Sequence, residues 1–380
     1  MKVVMISTDR NIGSPHSAVS KRMAEYGSIV KELHIILFTN AAYQLGEGII
    51  APNVHLYPTL SRSKFFYILD AIRIGKKVLS SVYFGQTVIT AQDPFETGLV
   101  GVALKGFAKT GLQIQIHTDA WGAHYRYANF LNWFRVTILA RLTLPHADTV
   151  RAVSEKVRSD AVIFGHVPPK KIALMPVYVD VFAFAHAPVT IDLKMKYKQW
   201  SVVTLMASRL TKEKNVLLAL KAFARVVKRY PKAGLVIVGT GSELPKLRRF
   251  VAWHKLEENV VFEEWQHDLS SYFQTADIFL NTSLYEGYGM SLVEAGASGT
   301  AVLTSKVGIA MDLLEDGRNA LICPIGDGNC VYNKLVNLIE NPLIRRSLGV
   351  ELKSTLLLQA ITKEVYLDRM KTSFEATIPQ

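Results

Sequence analysis

Residues 278–300 read IFLNTSLYEGYGMSLVEAGASGT, and the order of residue types in this stretch indicates its local structure. The apolar run Ile278–Leu280 predicts a buried strand. A glycine-containing loop follows, and the small residues from Gly289 onward predict the start of a helix. A strand, a tight loop and a helix in this order form half of a βαβ unit, so the stretch predicts an α/β fold with a parallel sheet.

Short apolar runs alternate with longer amphipathic segments along the rest of the chain. In the front half the predicted strands are Val3–Ile6, Leu33–Phe38, Val88–Thr90, Ile114–His117 and Thr149–Val153, and the helical patterns include Ala18–Val30 and Phe65–Ser80. In the back half the strands are Val202–Met206, Leu235–Val238, Val260–Phe262, Ile278–Leu280 and Val302–Thr304. The alternation breaks around Pro188, which favours two consecutive doubly wound domains over one long domain.

The chain of 380 residues carries a formal charge of +12, and most of the excess lies in its front half. Residues 1–190 hold 20 Lys and Arg against 12 Asp and Glu. This excess indicates an anionic partner, and charge alone does not choose among nucleic acid, acidic lipid and a phosphorylated substrate. Because the sequence contains no recognised nucleic-acid-binding module, we expect no nucleic-acid partner.

Three features of the sequence bear on cellular location. The run Lys2–Ile6 reads as a first strand and not as a signal peptide, and no apolar run reaches the roughly 18 residues that a spanning helix needs. Cys323 and Cys330 do not form the pattern of a disulfide framework, and they favour a reducing compartment. We therefore expect a cytoplasmic protein, either free or bound peripherally at the inner face of the cell membrane.

The loop after the predicted strand Ile278–Leu280 has the chemistry of a phosphate site. Free amides at the predicted helix start, around Gly289, Met290 and Ser291, attract an anion. Glu286 precedes these amides and Glu294 lies within the helix that follows, where each carboxylate could accept hydrogen bonds from hydroxyls of a sugar or ribose. The alternative is a capped helix whose glutamates face solvent.

A basic loop with the sequence ASRLTKEKN occupies residues 207–215, directly after a predicted strand. Arg209 and Lys214 at this position could neutralise a diphosphate. The alternative is a basic loop that only faces solvent. The later turn Val238–Gly241 has the pattern G-x-G, which by itself favours a close-packed turn over a ligand site.

Together these segments resemble glycosyltransferase family 4, whose members are also described as glycosyl transferases group 1. The stretch from Glu286 to Glu294 is similar to the family's donor-binding signature, E-G-[FY]-G-x-x-x-x-E. The basic loop is similar to the family's G-R-x-x-x-x-K-[GN] loop, with Ser208 where glycine is usual. The resemblance implies that Arg209 and Lys214 bind the diphosphate of the sugar donor.

The front half resembles the family less closely. The resemblance implies that Gly13, the single glycine where the family often has a pair, lies near the donor phosphate. It also implies that His117 lies near the reacting carbon and acts with Glu286 in catalysis. The alternative for His117 is a histidine that only completes the hydrogen bonding of the core or its rim.

The family has the GT-B fold, in which two Rossmann-like doubly wound domains face each other across a cleft. The resemblance implies an acceptor-side domain at residues 1–188, a nucleotide-sugar domain at residues 189–358, and a closing helix at residues 359–380 that returns to the first domain. The implied activity is transfer of a hexosyl unit, with retention, from a nucleotide-diphosphate sugar to a glycan or lipid-linked acceptor. The sugar nucleotide is a co-substrate and no cofactor is implied. The absence of a D-x-D motif from the sequence favours a reaction without a metal ion, because Arg209 and Lys214 can offset the charge of the leaving group.

Two other classes of function stay open at this point. A non-catalytic protein that binds sugar nucleotides or glycans would keep the fold without turnover. A GT-B-like sugar-nucleotide epimerase or phosphorylase would share the fold and catalyse a different reaction. Detectable transfer of a sugar to an acceptor distinguishes these functions from a glycosyltransferase.

Residues 125–141 mix aromatic and aliphatic side chains with Arg126, Arg135 and Arg141. A helix with an apolar, tryptophan-containing face beside arginines can lie in a membrane interface, which would favour a peripheral membrane contact and a lipid-linked acceptor. The alternative, which the sequence slightly favours, is an ordinary amphipathic helix that packs on the sheet.

Overall fold

The computed structural model describes residues 1–15, 17–43, 45–82, 86–266 and 268–379. The chain divides into two compact units, Met1–Pro176 with Thr362–Gln380 and Val177–Ile361. The sequence places the first boundary at residue 188, whereas the structure places it after Pro176. Residues 177–188 belong to the second unit because Val181 and Phe184 pack into its core.

The first unit is organised around a mostly parallel sheet. Its described strands are β1 Lys2–Ser7, β2 Glu32–Leu37, β3 Gly48–Ala51, β4 Val54–Pro58, β5 Thr87–Ala91, β6 Gly111–Ile116, β7 Thr149–Ala152 and β8 Ile172–Leu174. Their order in the sheet is β3–β4–β2–β1–β5–β6–β7–β8, and β3 alone runs antiparallel to its neighbour among these strands. The pattern of apolar runs does not predict β3, β4 and β8, since the edge strands β3 and β8 are short and largely exposed.

The helices of the first unit lie in the segments of the chain that connect these strands. They are α1 Ala18–Ser28, α2 Tyr67–Val82, α3 Glu96–Ala108, α4 Ala123–Arg126, α5 Phe130–Phe134, α6 Ala140–Thr143 and α7 Glu155–Ile163, with a π-helical turn at Arg135–Leu139 and 3-10 turns at Arg10–Gly13, Ala41–Tyr43, Lys64–Phe66, Leu144–His146 and Pro169–Lys171. The helix α1 begins after Ser17, whose Oγ accepts a hydrogen bond of 2.9 Å from the amide of Ser20. Such a cap satisfies one of the amides that a helix start leaves without a partner.

The second unit contains a wholly parallel sheet within its described residues. The strands are β9 Val202–Ala207, β10 Ala233–Val238, β11 Val260–Glu263, β12 Ile278–Asn281, β13 Ala301–Ser305 and β14 Leu321–Cys323, in the order β11–β10–β9–β12–β13–β14. The helices are α8 Val181–His186, α9 Leu193–Lys196, α10 Val216–Arg229, α11 Leu244–Trp253, α12 Ser270–Thr275, α13 Met290–Ala297, α14 Gly328–Glu340 and α15 Pro342–Gln359, with 3-10 turns at Lys212–Lys214 and Gly308–Met311. Within the described ranges of the chain, no helix combines the length and apolarity that crossing a membrane requires.

The strand β9 shows why this sheet is buried on both faces. Its side chains alternate, so that Val202 and Met206 enter one apolar cluster while Val203 and Leu205 enter the other. Side chains of α10, α11 and α14 complete the first cluster, and side chains of α12, α13 and α15 complete the second. Helices on both faces of a parallel sheet make a doubly wound unit, which confirms the predicted fold class.

The last helix, α16 Lys363–Glu375, belongs to the first unit although the chain has passed through the second. The hydroxyl of Tyr366 lies 3.2 Å from that of Tyr26. The side-chain amide of Gln113 donates to Ser373 Oγ at 2.8 Å. These buried polar contacts, together with the buried side chains of Met370 and Phe374, hold the end of the chain against the first sheet.

Cys323 and Cys330 form a disulfide, with their Cα atoms 5.7 Å apart. The sequence did not predict this disulfide, because two cysteines do not form the pattern of a disulfide framework. Cys323 ends β14 and Cys330 lies in the first turn of α14, and only a short loop separates them. Asp327 caps α14 by accepting a hydrogen bond of 2.9 Å from the amide of Cys330, which places this turn beside the end of the strand.

Candidate functional site

The loop between β12 and α13 has the shape that the quoted sequence predicts. The strand ends at Asn281, and α13 begins directly after Gly289, whose φ of +92° lies in the left-handed region. Glycine adopts this conformation without the steric cost that a Cβ atom imposes. The Oδ1 atom of Asn281 accepts a hydrogen bond of 3.0 Å from the amide of Ser283, which turns the chain out of the strand.

The start of α13 presents several backbone amides that the described part of the chain does not use as donors. Within the described residues, the amides of residues 287–291 have no hydrogen-bond acceptor. The first turn of a helix leaves its N–H groups free, and the helix dipole adds partial positive charge at the same place. The arrangement suits an anion with several oxygens, such as a phosphate.

Lys214 and Glu286 form an ion pair beside these amides. Lys214 Nζ lies 2.6 Å from Glu286 Oε1, and the two side chains are 15% and 14% exposed. Ser283 Oγ lies 2.8 Å from Glu286 Oε1 and 2.7 Å from Asn281 Oδ1. Its hydroxyl has a single proton, so it donates a hydrogen bond to one of these two oxygens at a time. The Glu286 carboxylate is therefore held by neighbouring side chains and does not extend into solvent.

Two hydrogen bonds bring the basic loop against the loop after β12. The amide of Leu284 donates to the carbonyl of Glu213 at 2.8 Å, and Thr282 Oγ1 lies 3.1 Å from the carbonyl oxygen of Asn215. The strands β9 and β12 are parallel neighbours, so the loops that follow them leave the same edge of the sheet. This topology explains why Lys214 and Glu286 meet across 72 residues of sequence.

Glu294 lies on α13 and its carboxylate has no hydrogen-bond or ion-pair partner among the described residues. Burial raises the pKa of this carboxyl group to about 7. A buried carboxylate without a partner is unfavourable unless donors reach it. The group can therefore accept hydrogen bonds from a hydroxyl-bearing ligand.

Arg209 differs from Lys214, the other cation of the predicted diphosphate site, in being largely exposed. Its side chain is 72% exposed, and Nη2 lies 3.4 Å from Glu213 Oε1. Within the described residues, its guanidinium contacts neither Lys214 nor Glu286. The structure thus brings together Lys214, Glu286 and the start of α13, and leaves Arg209 at the rim.

Close backbone contacts surround this site, and the sequence identifies only some of them. A Cβ atom on Gly239 would lie 1.9 Å from the carbonyl oxygen of Ser208, so the G-x-G turn is a packing feature, as its pattern favours. Sequence reasoning missed Gly308, which has a φ of +54° and whose Cβ would lie 2.2 Å from the carbonyl oxygen of Tyr288. It also missed Ser283, although this residue stands three positions before Glu286 in the quoted stretch.

Two of the predicted site residues, Gly13 and His117, lie in the first unit. Gly13 ends the 3-10 turn after β1 and borders a cavity of about 400 Å³. Other residues that line this cavity include Ile12, Pro15, Lys21, Leu45, Ile49 and Leu56. His117 follows β6, and its Nε2 lies 3.0 Å from Gln115 Oε1. Burial, together with the charges of Arg151 and Arg22, lowers the pKa of His117 to about 3, so its ring is neutral at pH 7.

The segment 125–141 is not the continuous helix that its sequence suggests. It divides between α4, α5, a π-helical turn and α6, and Asn129 starts α5 by accepting a hydrogen bond of 2.9 Å from the amide of Asn132. Tyr127, Phe130 and Leu131 are exposed, and Phe130 reaches 77%. Arg135 Nε lies 2.8 Å from Glu96 Oε1 and forms an ion pair with it. The segment therefore presents an apolar surface to solvent and packs only part of its length on the protein.

The described residues contain no group of three or more His, Cys, Asp or Glu side chains placed to hold a metal ion. The positively charged groups at the loops after β9 and β12 include Arg209, Lys212, Lys214 and the start of α13.

Residues 196–353 match the family described as glycosyl transferases group 1. This region contains β9 to β14 and every residue of the site in the second unit. The match confirms the resemblance that the motifs at residues 209–214 and 286–294 indicate.

Two known proteins are similar in sequence to parts of the chain. A poly(glycerol-phosphate) alpha-glucosyltransferase of Bacillus subtilis is 36% identical over 128 residues, which are 33% of this chain and 18% of that protein. An alpha-monoglucosyldiacylglycerol synthase of Acholeplasma laidlawii is 25% identical over 208 residues, which are 54% of this chain and 51% of that protein. The chain thus spans about half of the second relative's length and less of the first.

Among solved structures, the Anabaena protein HepE in complex with UDP and glucose is similar to the chain with a TM-score of 0.77 and 18% sequence identity. The similarity covers 99% of this chain and 100% of HepE. At this identity the likeness shows the fold, which is GT-B.

Proposed function

Because residues 196–353 belong to the glycosyl transferases group 1 family, we propose that the chain transfers a hexosyl unit, with retention, from a nucleotide-diphosphate sugar to a glycan or lipid-linked acceptor. The observation that carries this proposal is the site in the second unit. There Lys214 and Glu286 lie 2.6 Å apart. Beside them are helix amides and the Glu294 carboxylate, for which the described residues provide no hydrogen-bond partner. A diphosphate joined to two hydroxyl-rich sugars offers the matching chemistry.

The diphosphate of the sugar donor binds at the start of α13. The free amides of Met290 and Ser291, with Gly289 before them, donate to its oxygens, and Lys214 supplies a positive charge. Arg209, which is exposed, turns toward the diphosphate when the sugar donor binds. Both cations act in a partly buried site, where they offset negative charge more strongly than they would in water.

The two glutamates bind the sugars on either side of the diphosphate. Glu294 accepts hydrogen bonds from ribose hydroxyls, which supply the donors that its buried carboxylate lacks. Glu286, held by Lys214 and Ser283, accepts from hydroxyls of the transferred sugar and fixes its orientation. Binding energy from these contacts places the anomeric carbon for reaction.

In the transfer step the bond between the anomeric carbon and the phosphate oxygen breaks, and a bond from that carbon to the acceptor oxygen forms on the same face. The acceptor hydroxyl passes its proton to the leaving phosphate oxygen. The products are the glycosylated acceptor and a nucleoside diphosphate. UDP-glucose is an α-glycoside, and the name of the Bacillus subtilis relative describes an alpha-glucosyltransferase, which supports retention for this chain.

The negative charge of the leaving group is offset by Lys214, Arg209 and the helix amides, so we propose a reaction that needs no divalent metal. A lipid-linked or polymeric acceptor is supported by the names of two relatives, which include poly(glycerol-phosphate) and a diacylglycerol glycolipid. The exposed apolar surface around Phe130 supports the same class of acceptor.

Transfer itself tests this proposal. The purified protein is incubated with nucleotide sugars, a glycolipid acceptor and excess chelator, and the anomeric configuration of the product is read by NMR. We expect an α-linked product formed at the same rate with and without chelator. A β-linked product would refute retention, and activity restored only by manganese or magnesium would refute the metal-free reaction. Donor binding without any product would favour a non-catalytic binding protein.

A further inference from the structure

Arg151 is a fully buried cation that no carboxylate neutralises within the described residues. It lies on β7 and is 2% exposed. Its guanidinium donates to the carbonyl oxygens of Met175 and Pro176 at 3.1 and 3.0 Å, to Tyr366 Oη at 2.9 Å and to Gln115 Oε1 at 2.9 Å. A buried charge without a counter-ion is costly unless hydrogen bonds stabilise it. The guanidinium therefore requires each of these neutral groups to keep its oxygen facing Arg151.

The contact with Gln115 fixes the direction of its side-chain amide. A guanidinium nitrogen only donates hydrogen bonds, so the Gln115 atom that faces Arg151 is the oxygen. The same oxygen lies 3.0 Å from His117 Nε2. His117 Nε2 must therefore carry a proton and donate it to Gln115.

Hydrogen bonds at the other end of Gln115 agree with this direction. Gln115 Nε2 donates to Thr90 Oγ1 at 2.8 Å, and Thr90 Oγ1 donates to Gln113 Oε1 at 3.1 Å. The amide of Gln113 then donates to Ser373 Oγ at 2.8 Å. In this buried series of hydrogen bonds each donor meets an acceptor. Turning the Gln115 amide over would therefore break several hydrogen bonds at once.

The other ring nitrogen of His117, Nδ1, has no hydrogen-bond partner among the described residues. The charged groups that act on the ring are Arg151 on β7 and Arg22 on α1, and with burial they hold the pKa of His117 near 3. The ring is thus neutral, and with its proton on Nε2 it keeps a lone pair on Nδ1. That nitrogen can accept a hydrogen bond and cannot donate one.

We propose that Arg151 is a positioning residue which, through Gln115, holds His117 as the Nε2–H tautomer so that Nδ1 accepts a hydrogen bond from a substrate hydroxyl. This role rests on the proposed transfer function, because the hydroxyl belongs to the sugar donor or the acceptor. It assigns His117 to orienting a hydroxyl and excludes it as the acid that protonates the leaving group.

NMR of the protein labelled with ¹⁵N histidine reads the tautomer directly, without a substrate. His34, which contacts Glu32 and Tyr57 through its two nitrogens, serves as an internal reference, and loss of a signal in His117→Gln identifies His117. We expect a proton on Nε2 and none on Nδ1 of His117 from pH 5 to pH 8. A proton on Nδ1, or an imidazolium at pH 7, would overturn the proposal.

Two variants test the part played by Arg151. In Arg151→Met the Gln115 oxygen loses its charged donor, and only the hydrogen bonds with Thr90 and Gln113 then oppose turning of the amide. We therefore expect a fraction of His117 to change to the other tautomer. Gln115→Glu leaves the buried cation in place and adds a carboxylate that stabilises the imidazolium. With the pKa of His117 near its ordinary value of about 6.5, the neutral fraction falls about tenfold by pH 5.5. We therefore expect the rise in KM between pH 8 and pH 5.5 to be about tenfold larger in Gln115→Glu than in the wild type, where only Glu294 contributes.

Parallel pH profiles for Gln115→Glu and the wild type would contradict the proposal, as would a single unchanged tautomer in folded Arg151→Met. Failure of the proposed function looks different. If the wild type shows the expected tautomer but no nucleotide sugar binds, the transfer function is refuted while the coupling between Arg151 and His117 stands.

Discussion

Lys214 Nζ lies 2.6 Å from Glu286 Oε1, although the two residues belong to loops that follow different strands. The pair holds a positive charge next to the free amides of α13 before any phosphate arrives. A phosphate that binds there meets a cation already in place, so less side-chain freedom is lost on binding. The pair also keeps the Glu286 carboxylate from repelling the phosphate.

Replacement of Lys214 by alanine tests this arrangement. We expect Lys214→Ala to weaken binding of a nucleoside diphosphate by about 1.5–3 kcal/mol, which is roughly 10- to 150-fold in Kd. Lys212 lies in the same 3-10 turn and is exposed, so Lys212→Ala is the matched control and should change Kd less than twofold. Calorimetry measures both. Equal effects of the two substitutions would show that the loop acts only through its net charge.

Glu294 makes binding of the sugar donor depend on pH. Burial raises its pKa to about 7, and hydroxyl donors stabilise the ionised form, so binding releases a proton when the group starts protonated. We expect Kd to fall about tenfold from pH 6 to pH 8, because the ionised fraction of a group with a pKa near 7 rises by that factor. Glu294→Gln should bind more weakly and lose this dependence. A Kd that follows pH equally in both proteins would remove Glu294 from the site.

Alanine substitutions at Gly308 and Gly317 distinguish the cost of backbone strain from the cost of a steric clash. Both have positive φ, but a Cβ on Gly317 would meet nothing within 4 Å, whereas a Cβ on Gly308 would lie 2.2 Å from the Tyr288 carbonyl oxygen. We expect Gly317→Ala to lower the free energy of unfolding by about 1–2 kcal/mol. Gly308→Ala should lower it by about 2–5 kcal/mol and also weaken sugar-donor binding. Urea unfolding of both variants checks this, and equal losses would show that the contact with Tyr288 relaxes freely.

The exposed apolar surface around Phe130 predicts binding to anionic membranes. We expect cosedimentation with anionic vesicles at low salt and its loss at high salt, because each basic residue near such a surface adds about 1 kcal/mol. Phe130→Ser should reduce binding several-fold, while Trp253→Ser, which removes an 85% exposed aromatic side chain in the second unit, should not. No binding of the wild type at low salt would favour an acceptor that is not embedded in a membrane.

The sequence predicts those features that depend on local pattern. Buried runs such as Val202–Met206 predict the strands, and the residues from Glu286 to Glu294 predict the loop and helix of the site. The contact of Lys214 with Glu286 depends on β9 and β12 being neighbours, and strand order is not a local property. The same limit explains why the Cys323–Cys330 disulfide was missed, since it depends on how closely α14 follows β14. The helix expected at 125–141 is interrupted because Asn129 caps a new helix within it.

The central claim is that the second unit binds a nucleotide-diphosphate sugar. Thermal unfolding of the wild-type protein, followed with a panel of nucleotide sugars, tests it most directly, since a ligand that binds only the folded state stabilises that state. At a concentration of 100 Kd the gain is about 2.7 kcal/mol, and we predict that at least one nucleotide sugar raises the unfolding temperature while the same sugar without its nucleotide does not. An unchanged unfolding temperature with every nucleotide sugar and every nucleoside diphosphate would contradict the account.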